Sequence, residues 1–499
     1  MSHKKQIPLK DHIAELACPA HGGLIREMAG RYGIPESEML DLSASLNPLG
    51  SPFEHPSGGL DLDAIMEKAA KRFGQYPDNR YLEYRSAAVN FLGNGLSVDN
   101  IVPGNGSCEI IRLVAEAVLD EGDVVLIPHP TFAEYEQQCK VAGADVRYIR
   151  QEEVMDLSDD VLESAKILFV CNPNNPSGKL RSREDLLKLA ARCASKNTIL
   201  FLDEAFIELA DDPSQSIAEV VEGNDYLFIL RSLTKDFAIP GIRLGFGVAS
   251  KRMAEALNTA RLSWNLGSIP EEIGIAVMNM EGGCNSPYLV QSREAIKKDR
   301  EYLIERISSG IRKFVPIDSE INYILVDISN SAFDSTELMQ RLASHGVLIR
   351  DCSSFPFMGK DFIRIAVRPK EETDRLSRAI GKVVVEKARE TARLDLIAML
   401  ESGDVKPQGP NTDCSYYPCH HFPGQDCTFC FCPFYKCEDE RTGGKWVDRS
   451  SGGKVWSCED CVIVHQKDVV EKILNELSGE GSMEEKLKKA WTKVVEPLL

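Results

Sequence analysis

Residues 231–246 read RSLTKDFAIPGIRLGF, and this lysine-containing segment directly follows the hydrophobic run YLFIL (226–230). Ser232 and Thr234 precede Lys235, and Arg243 follows it by eight residues. A lysine that forms a covalent adduct must be partly unprotonated, and an apolar, cation-rich pocket favours that state. Nearby hydroxyls and an arginine can also hold a dianionic phosphate. Most lysines in loops are simply solvated, so this segment gains its meaning from the rest of the chain.

On either side of this segment, from about residue 85 to 250, short hydrophobic runs alternate with helical patterns. VVLIP, ILFV, TILFLDEAF and YLFILRS are typical of strands buried on both faces, and EIIRLVAEAVL and REDLLKLAARCA have helical spacing. This alternation predicts a parallel sheet covered by helices. Ligands of such sheets bind at the carboxyl ends of the strands, so the loops after these runs are the expected site.

Three further segments carry polar groups to this edge. Gly104, Gly106 and Ser107 open a helix whose free N–H groups could bind a phosphate, although a well-capped helix is the simpler interpretation. CNPNNPSG (171–178) follows a strand and would also suit an ordinary turn. Asp203 ends a hydrophobic strand, where a carboxylate needs a cationic partner: a protonated pyridine nitrogen, an arginine or a lysine.

The order of these segments resembles that of fold-type I enzymes that use pyridoxal 5'-phosphate (PLP). Residues ~10–390 resemble the histidinol-phosphate aminotransferase group and, within it, most closely the L-threonine-O-3-phosphate decarboxylases of cobalamin biosynthesis. SLTKDFAIPGIRLG, DEAF and NPNNPSG carry the resemblance. It implies an α/β fold with a large domain built on a mostly parallel sheet and a small α+β domain.

The resemblance also implies roles around the cofactor. Lys235 would bind PLP covalently, and Asp203 would keep the ring nitrogen protonated so that the ring withdraws electrons. Asn175 would hydrogen-bond the ring hydroxyl, and Phe132 would stack on the ring. Tyr76 would reach the cofactor phosphate of a neighbouring subunit, which implies a homodimer. The residues implied to hold the cofactor phosphate within one chain are Gly106, Ser107, Ser232, Thr234 and Arg243.

A second group of residues would bind the substrate. Arg364 matches the arginine that holds the substrate carboxylate, and Arg350 is a second expected cation. Asn47 matches a substrate-side asparagine. His21, Gly22 and Gly23 match a His-Gly-Gly that lies against a substrate phosphate, and a helix-capping turn is the alternative for the glycines. Phe206 stands where many aminotransferases have a tyrosine, and this departure favours the decarboxylases.

The function that follows is decarboxylation of L-threonine O-3-phosphate to (R)-1-amino-2-propanol O-2-phosphate and CO₂. The alternative is a phosphate-specific aminotransferase, such as one acting on histidinol phosphate. Both reactions begin in the same way, and the bond perpendicular to the ring is the one that breaks. A second activity such as an L-threonine kinase would supply the substrate, but the chain has no G-x-x-x-x-G-K-[ST] loop or kinase signature.

The cysteines are concentrated in a C-terminal module. Of 15 cysteines, eight fall between Cys414 and Cys461. Two C-x2-C pairs and three histidines within residues 414–465 indicate metal binding. Mixed Cys and His ligands favour zinc; an iron–sulfur cluster and a disulfide-stapled domain are the alternatives. The expected ligands are Cys414, Cys419, His420, His421, Cys427, Cys430, Cys432, Cys437, Cys458, Cys461 and His465.

These patterns predict a PLP-dependent unit at 1–395, with its small domain at about 1–50 and 290–395. A linker (396–413), the cysteine-rich module (414–465) and a helical tail (466–499) would follow. The net charge of −18 argues against nucleic-acid or anionic-membrane surfaces. No run of residues resembles a signal peptide or a membrane span, so a cytoplasmic protein is expected.

Overall fold

The computed structural model describes residues 10–14, 16–17, 22–93, 95–310, 313–412, 417, 419–420, 422, 424–435, 437–448 and 454–499. The chain divides into two compact units, residues 1–373 and 374–499. None of the helices in this described part combines the length and hydrophobicity that crossing a bilayer requires.

The first unit is built around its strands. The hydrophobic runs of its large sheet are too short for buried helices, so they form buried strands. The strands are β1 (Leu40–Asp41), β2 (Ile101–Gly104), β3 (Val124–His129), β4 (Asp145–Arg150), β5 (Ile167–Cys171), β6 (Ile199–Asp203), β7 (Leu227–Ser232), β8 (Gly245–Ala249), β9 (Val315–Ile317), β10 (Tyr323–Asp327), β11 (Val347–Leu348), β12 (Arg350–Asp351) and β13 (Phe362–Ala366). Those of the second unit are β14 (Lys445–Asp448) and β15 (Lys454–Ser457).

Helices connect these strands. They are α1 (Asp11–Ala14), α2 (Ile25–Tyr32), α3 (Leu62–Ala70), α4 (Leu82–Leu92), α5 (Ser107–Val118), α6 (Ala133–Ala142), α7 (Asp159–Glu163), α8 (Arg183–Ser195), α9 (Leu233–Asp236), α10 (Lys251–Ala260), α11 (Ser268–Met278), α12 (Pro287–Gly310), α13 (Ser335–Ser344), α14 (Lys370–Ser402), α15 (Lys467–Leu477) and α16 (Met483–Ala490).

The largest sheet has the strand order β2-β8-β7-β6-β5-β3-β4. Only β8 runs antiparallel to its neighbours, and the remaining pairs are parallel. Hydrophobic clusters cover both faces of the sheet. The predicted α/β class with a mostly parallel sheet is therefore confirmed, and the small domain adds the antiparallel sheet β12-β13-β10-β9.

The second unit differs from the predicted boundaries. Helix α14 continues to Ser402, so residues 396–402 are helical rather than part of a linker. The predicted tail is not separate from the cysteine-rich module either, because Val470 and Ile473 of α15 share a hydrophobic core with Phe429 and Leu396. The amphipathic faces of the C-terminal helices are buried in this core, which the sequence alone did not assign.

Candidate active site

Three neighbouring strands deliver polar residues to one edge of the large sheet. In the ladder between β5 and β6, Cys171 pairs with Asp203, and Asp203 pairs with Leu230 of β7, two residues before Ser232. Parallel strands that end together bring the loops after them together. The Asn-Pro loop, the acidic strand end and the lysine-containing turn therefore meet at this edge.

A cavity of about 490 Å³ opens there, within the first unit. Twelve of the predicted site residues line it: Gly22, Gly23, Ser107, Phe132, Asn175, Asp203, Ser232, Thr234, Lys235, Arg243, Arg350 and Arg364. The structure thus brings together residues that are up to 342 positions apart in the chain, from Gly22 to Arg364. The large domain contributes residues between Ser107 and Arg243 to this set, and strands of the small domain contribute Arg350 and Arg364.

Lys235 lies in the short helix α9, directly after β7. Its side chain is partly exposed to the cavity, but the surrounding protein shields its amine from most of the solvent. This burial, assisted by the positive charges of Arg364 and Arg243, lowers the pKa of Lys235 to about 8. The amine is therefore neutral far more often than that of a solvated lysine, which a nucleophilic amine requires.

Asp203 is buried at the end of β6, with 4% of its surface exposed. Burial raises the pKa of this carboxyl to about 6, and two donated hydrogen bonds oppose the rise. The Tyr135 hydroxyl donates to Oδ2 at 2.5 Å, and the Ala205 backbone N–H donates to Oδ1 at 2.9 Å. Among the described residues Asp203 forms no ion pair, so a cation in the cavity would find an uncompensated carboxylate.

One end of the cavity is built to hold an anion. Helix α5 begins at Ser107, and the preceding Gly106 has a φ of +81°. A Cβ atom at Gly106 would lie 2.7 Å from the Arg243 guanidinium, so glycine allows the arginine to approach the helix start. The hydroxyls of Ser232 and Thr234 lie 2.9 Å apart and line the same cavity. Helix N–H groups, hydroxyls and a guanidinium together suit a phosphate.

The small domain adds two arginines, Arg350 and Arg364, to the cavity that Arg243 also lines, and they form a second cationic group. Arg364 on β13 donates through Nη1 to Asn175 Oδ1 and through Nη2 to the Ser43 carbonyl at 3.0 Å. Its buried Nε has no hydrogen-bond partner among the described residues. Arg350, on the paired strand β12, lies close enough that its pKa is lowered by burial and by the charge of Arg364. Two guanidinium groups this close favour binding of an anion.

The glycine segment joins this second cationic group through Ser43. The Gly23 backbone N–H donates to Ser43 Oγ at 3.3 Å, while the carbonyl of the same serine accepts from Arg364. His21, predicted to lie beside these glycines, is outside the described residues. Gly23 and Arg364 thus contact the same serine, and the binding of an anion by Gly22 and Gly23 stays a prediction.

Three predicted residues that the structure describes do not line the cavity: Gly106, which directly precedes α5, Asn47 and Tyr76. Asn47 is buried, and its amide donates to the Asp236 carbonyl at 2.8 Å and to Ser292 Oγ at 2.7 Å. The amide thus connects the N-terminal segment to α9 and α12, and the substrate contact of Asn47 stays a prediction. Tyr76 is 80% exposed and packs on Trp264, with ring centroids 4.6 Å apart.

The structure adds residues that sequence reasoning missed. Tyr135 and Ser43 have the contacts described above, and Ser45 lines the cavity with a buried hydroxyl that lacks a partner among the described residues. Ser45 stands two positions before Asn47 in the same SASLNP motif. The motif therefore does reach the cavity, but through Ser45 and not through Asn47. Tyr135 gave no signal, because it is 68 positions from Asp203.

In the second unit, the described cysteines and histidines form local contacts. Both C-x2-C pairs form tight turns, in which the Cys430 N–H donates to the Cys427 carbonyl and the Cys461 N–H to the Cys458 carbonyl. The rings of His420 and His465 stack with centroids 4.0 Å apart.

Within the described residues, however, no group of three or more His, Cys, Asp or Glu side chains is arranged to hold a metal ion. The metal site that the sequence indicates therefore stays a prediction. Cys414 and His421, which belong to that set, lie outside the described residues.

Residues 40–380 match the family model of class I and II aminotransferases. The chain belongs to this family. Residues 406–488 match a second family, described as a cysteine-rich small domain. The aminotransferase match spans the whole cavity except its Gly22–Gly23 wall, and the second match joins the cysteines to α15.

Relatives with two different activities are similar to this chain. A histidinol-phosphate aminotransferase of Methanothermobacter thermautotrophicus is 29% identical over 76% of this chain and 98% of its own length. A threonine-phosphate decarboxylase of Salmonella typhimurium is 30% identical over 73% of this chain and 96% of its own length. The solved histidinol-phosphate aminotransferase of Clostridium acetobutylicum is 29% identical, with a TM-score of 0.60 over 69% of this chain and 99% of that one.

Membership of the class I and II aminotransferase family supports PLP as the cofactor. The cavity fits this group on its own evidence of charge and space. Lys235 supplies a neutral amine, Asp203 an uncompensated carboxylate, and the start of α5 with Arg243 a place for a phosphate. No metal or further cofactor is needed to account for these groups.

We expect PLP binding to depend on the neutral form of Lys235. At pH 7 about a tenth of the Lys235 amines are neutral, against fewer than about one in a thousand for a lysine of ordinary pKa. Because the neutral amine is the reacting form, the rate at which the PLP-free protein becomes yellow should rise with pH and level off above about 8. Stopped-flow absorbance measures this rate.

Lys235→Ala should develop no imine absorbance beyond that of PLP itself at any pH, whereas Lys188→Ala, which removes a surface lysine, should match the wild type. A rate that keeps rising towards pH 10 would show that the amine has an ordinary pKa and would contradict the proposed pocket.

Proposed function

We propose that this protein is a PLP-dependent threonine-phosphate decarboxylase. It would convert L-threonine O-3-phosphate into (R)-1-amino-2-propanol O-2-phosphate and CO₂, a reaction expected in the synthesis of cobamide linkers. The observation that carries the proposal is the second cationic group: Arg350 and Arg364 line the same cavity as Gly22 and Gly23, and Arg364 and Gly23 both contact Ser43. A substrate with both a carboxylate and a phosphate suits a cavity with cations beyond those needed for the cofactor.

Each step assigns a task to residues of this chain. Bound PLP supplies a ring that accepts the electron pair of the broken Cα–carboxylate bond. Asp203 would keep the ring nitrogen protonated, while Asn175 would contact the ring hydroxyl and Phe132 the ring face. Lys235 would deliver the proton that replaces CO₂ at Cα, because its lowered pKa makes the ammonium form a ready donor near neutral pH.

The arginines would orient the substrate. Arg364 is fixed by two neutral acceptors, the Ser43 carbonyl and Asn175 Oδ1, so its charge is left for the substrate carboxylate. Arg350 would share the phosphate with the Gly22 and Gly23 backbone. Holding both ends of the substrate turns the carboxylate out of the ring plane. The same clamp in another orientation would favour proton loss from Cα and hence transamination.

The decisive assay uses threonine phosphate labelled in its carboxyl group. We expect labelled CO₂ to be released by the PLP-loaded protein in the absence of 2-oxoglutarate, because decarboxylation needs no second substrate. Arg364→Ala should lower kcat/KM by about a hundredfold or more while keeping the PLP absorbance, since it removes a charged hydrogen bond to a buried anion. Arg252→Ala, at a surface arginine, serves as the control.

No labelled CO₂, together with glutamate formation from 2-oxoglutarate and histidinol phosphate, would establish the aminotransferase instead. Loss of PLP from Arg364→Ala would remove this arginine from the substrate clamp.

We also propose that the protein is a homodimer in which Tyr76 reaches the neighbouring active site. An exposed apolar patch supports this: Tyr76 stacks on Trp264, and Leu262 beside them is 74% exposed. Such patches mark contact surfaces. Sedimentation velocity should give a dimer for the wild type and for Val315→Asp, a substitution at another exposed hydrophobic residue. Leu262→Asp should weaken dimerisation by tenfold or more, about 1.4 kcal/mol; a monomeric wild type would refute the proposal.

For the cysteine-rich unit we propose one or two bound metal ions, with zinc favoured over an iron–sulfur cluster. The donor chemistry supports this: Nδ1 of His420 and of His465 each lies 3.0 Å from a backbone carbonyl oxygen. Metal-binding histidines usually form this contact through the nitrogen that does not bind metal. Elemental analysis of the full chain should find zinc, and a chelator should lower the unfolding temperature of residues 374–499. Iron with inorganic sulfide, or no metal, would contradict the zinc assignment.

A further inference from the structure

The Asp203 carboxylate depends on a tyrosine outside every motif that pointed to the active site. Tyr135 donates to Asp203 Oδ2 at 2.5 Å, while Oδ1 accepts from the Ala205 N–H at 2.9 Å. The Tyr135 hydroxyl is the only side chain of the described residues that donates a hydrogen bond to this carboxylate. The direction in which Oδ2 points is therefore fixed by the phenol.

The phenol itself is held firmly. Tyr135 is 1% exposed and stacks on Phe169 of β5, with centroids 5.0 Å apart and an interplanar angle of 16°. Its edge meets Phe132, the residue expected to stack on the cofactor, at 5.7 Å and 83°. A ring packed from two sides cannot turn its hydroxyl away, so the hydrogen bond is part of the rigid core.

The other ionisable groups facing Asp203 stay neutral near pH 7. They are Cys108 at the start of α5, Cys171 at the end of β5 and Tyr323 on β10, along with Tyr135 itself. Burial raises the pKa of each of them, that of Cys171 to about 12. Between pH 5 and 7 the carboxyl of Asp203 is thus the group in this cluster that titrates.

We propose that Tyr135 is a positioning residue that keeps Asp203 ionised and directed at the ring nitrogen of bound PLP. The inference rests on the proposed pairing of Asp203 with that nitrogen. A hydrogen bond to the charged form favours ionisation, so the phenol opposes the effect of burial. Without it the carboxyl would become protonated at a higher pH, and a neutral carboxyl no longer stabilises a cationic ring nitrogen.

The first test measures PLP affinity by quenching of protein fluorescence between pH 5 and 7, without any substrate. Affinity should fall as pH is lowered, because Lys235 becomes more fully protonated in every variant and Asp203 becomes protonated in addition. In Tyr135→Phe the part of this fall that is due to Asp203 should begin about one to two pH units higher than in the wild type, because one hydrogen bond to a charged group is lost. Tyr84→Phe is the matched control, since its buried phenol donates to the Gly245 carbonyl at 3.0 Å and makes no contact with Asp203.

The second test measures turnover against pH. Near pH 6.5 the kcat of Tyr135→Phe should be about tenfold lower than that of the wild type, with KM unchanged, and it should recover as pH is raised to 8. Asp203→Asn should not recover, because it has no carboxylate to ionise. Urea unfolding of Tyr135→Phe and Tyr84→Phe should give similar midpoints, which shows that both variants fold.

A Tyr135→Phe profile that coincides with those of the wild type and Tyr84→Phe would overturn the inference. So would a loss of affinity and turnover that is equal at every pH, because that result indicates only a packing role. The affinity measurement uses the cofactor alone, so it remains decisive even if threonine phosphate is not the substrate.

Discussion

Burial opposes the charge on both ionisable groups at the edge where the central strands end. It raises the pKa of Asp203 to about 6 and lowers that of Lys235 to about 8, so each is drawn towards its neutral form. Neither group forms an ion pair with the other in the described structure. A cofactor with a cationic ring nitrogen and a reactive aldehyde satisfies both at once, which explains why two groups that are costly to bury share one cavity.

Much of this arrangement could be predicted because it is written in contiguous segments. A fully hydrophobic run predicts a buried parallel strand, and the residue after it must lie at the carboxyl edge. Asp203 ends one such run, and Lys235 lies in the short segment after another. Their positions at the edge of the sheet could therefore be predicted without knowing any distant contact. The second unit was less predictable, since a helical tail shows a hydrophobic stripe but not which surface covers it. In the structure that surface includes Phe429 and Leu396.

The contacts of Asn47 and Tyr135, which sequence reasoning did not find, depend on packing between distant segments. Asn47 lies in a motif that does reach the cavity, yet its amide is used by Asp236 and Ser292, whereas Ser45 faces the cavity. Two positions along an irregular segment change which side chain points inward, and no periodic pattern fixes that choice. Tyr135 is brought to Asp203 by the packing of α6 on β5, which no linear signal records.

The arginine clamp connects substrate orientation to the cofactor ring. Arg364 donates to Asn175, the residue expected to contact the ring hydroxyl, and stands 4.7 Å above the ring of Tyr323. In the proposed function, a substrate carboxylate held by Arg364 would be positioned relative to the ring by the same asparagine. Which Cα bond stands perpendicular to the ring then depends on small rotations of the clamp, not on new reactive groups. Such rotations would be compatible with relatives near 30% identity that carry both decarboxylase and aminotransferase names.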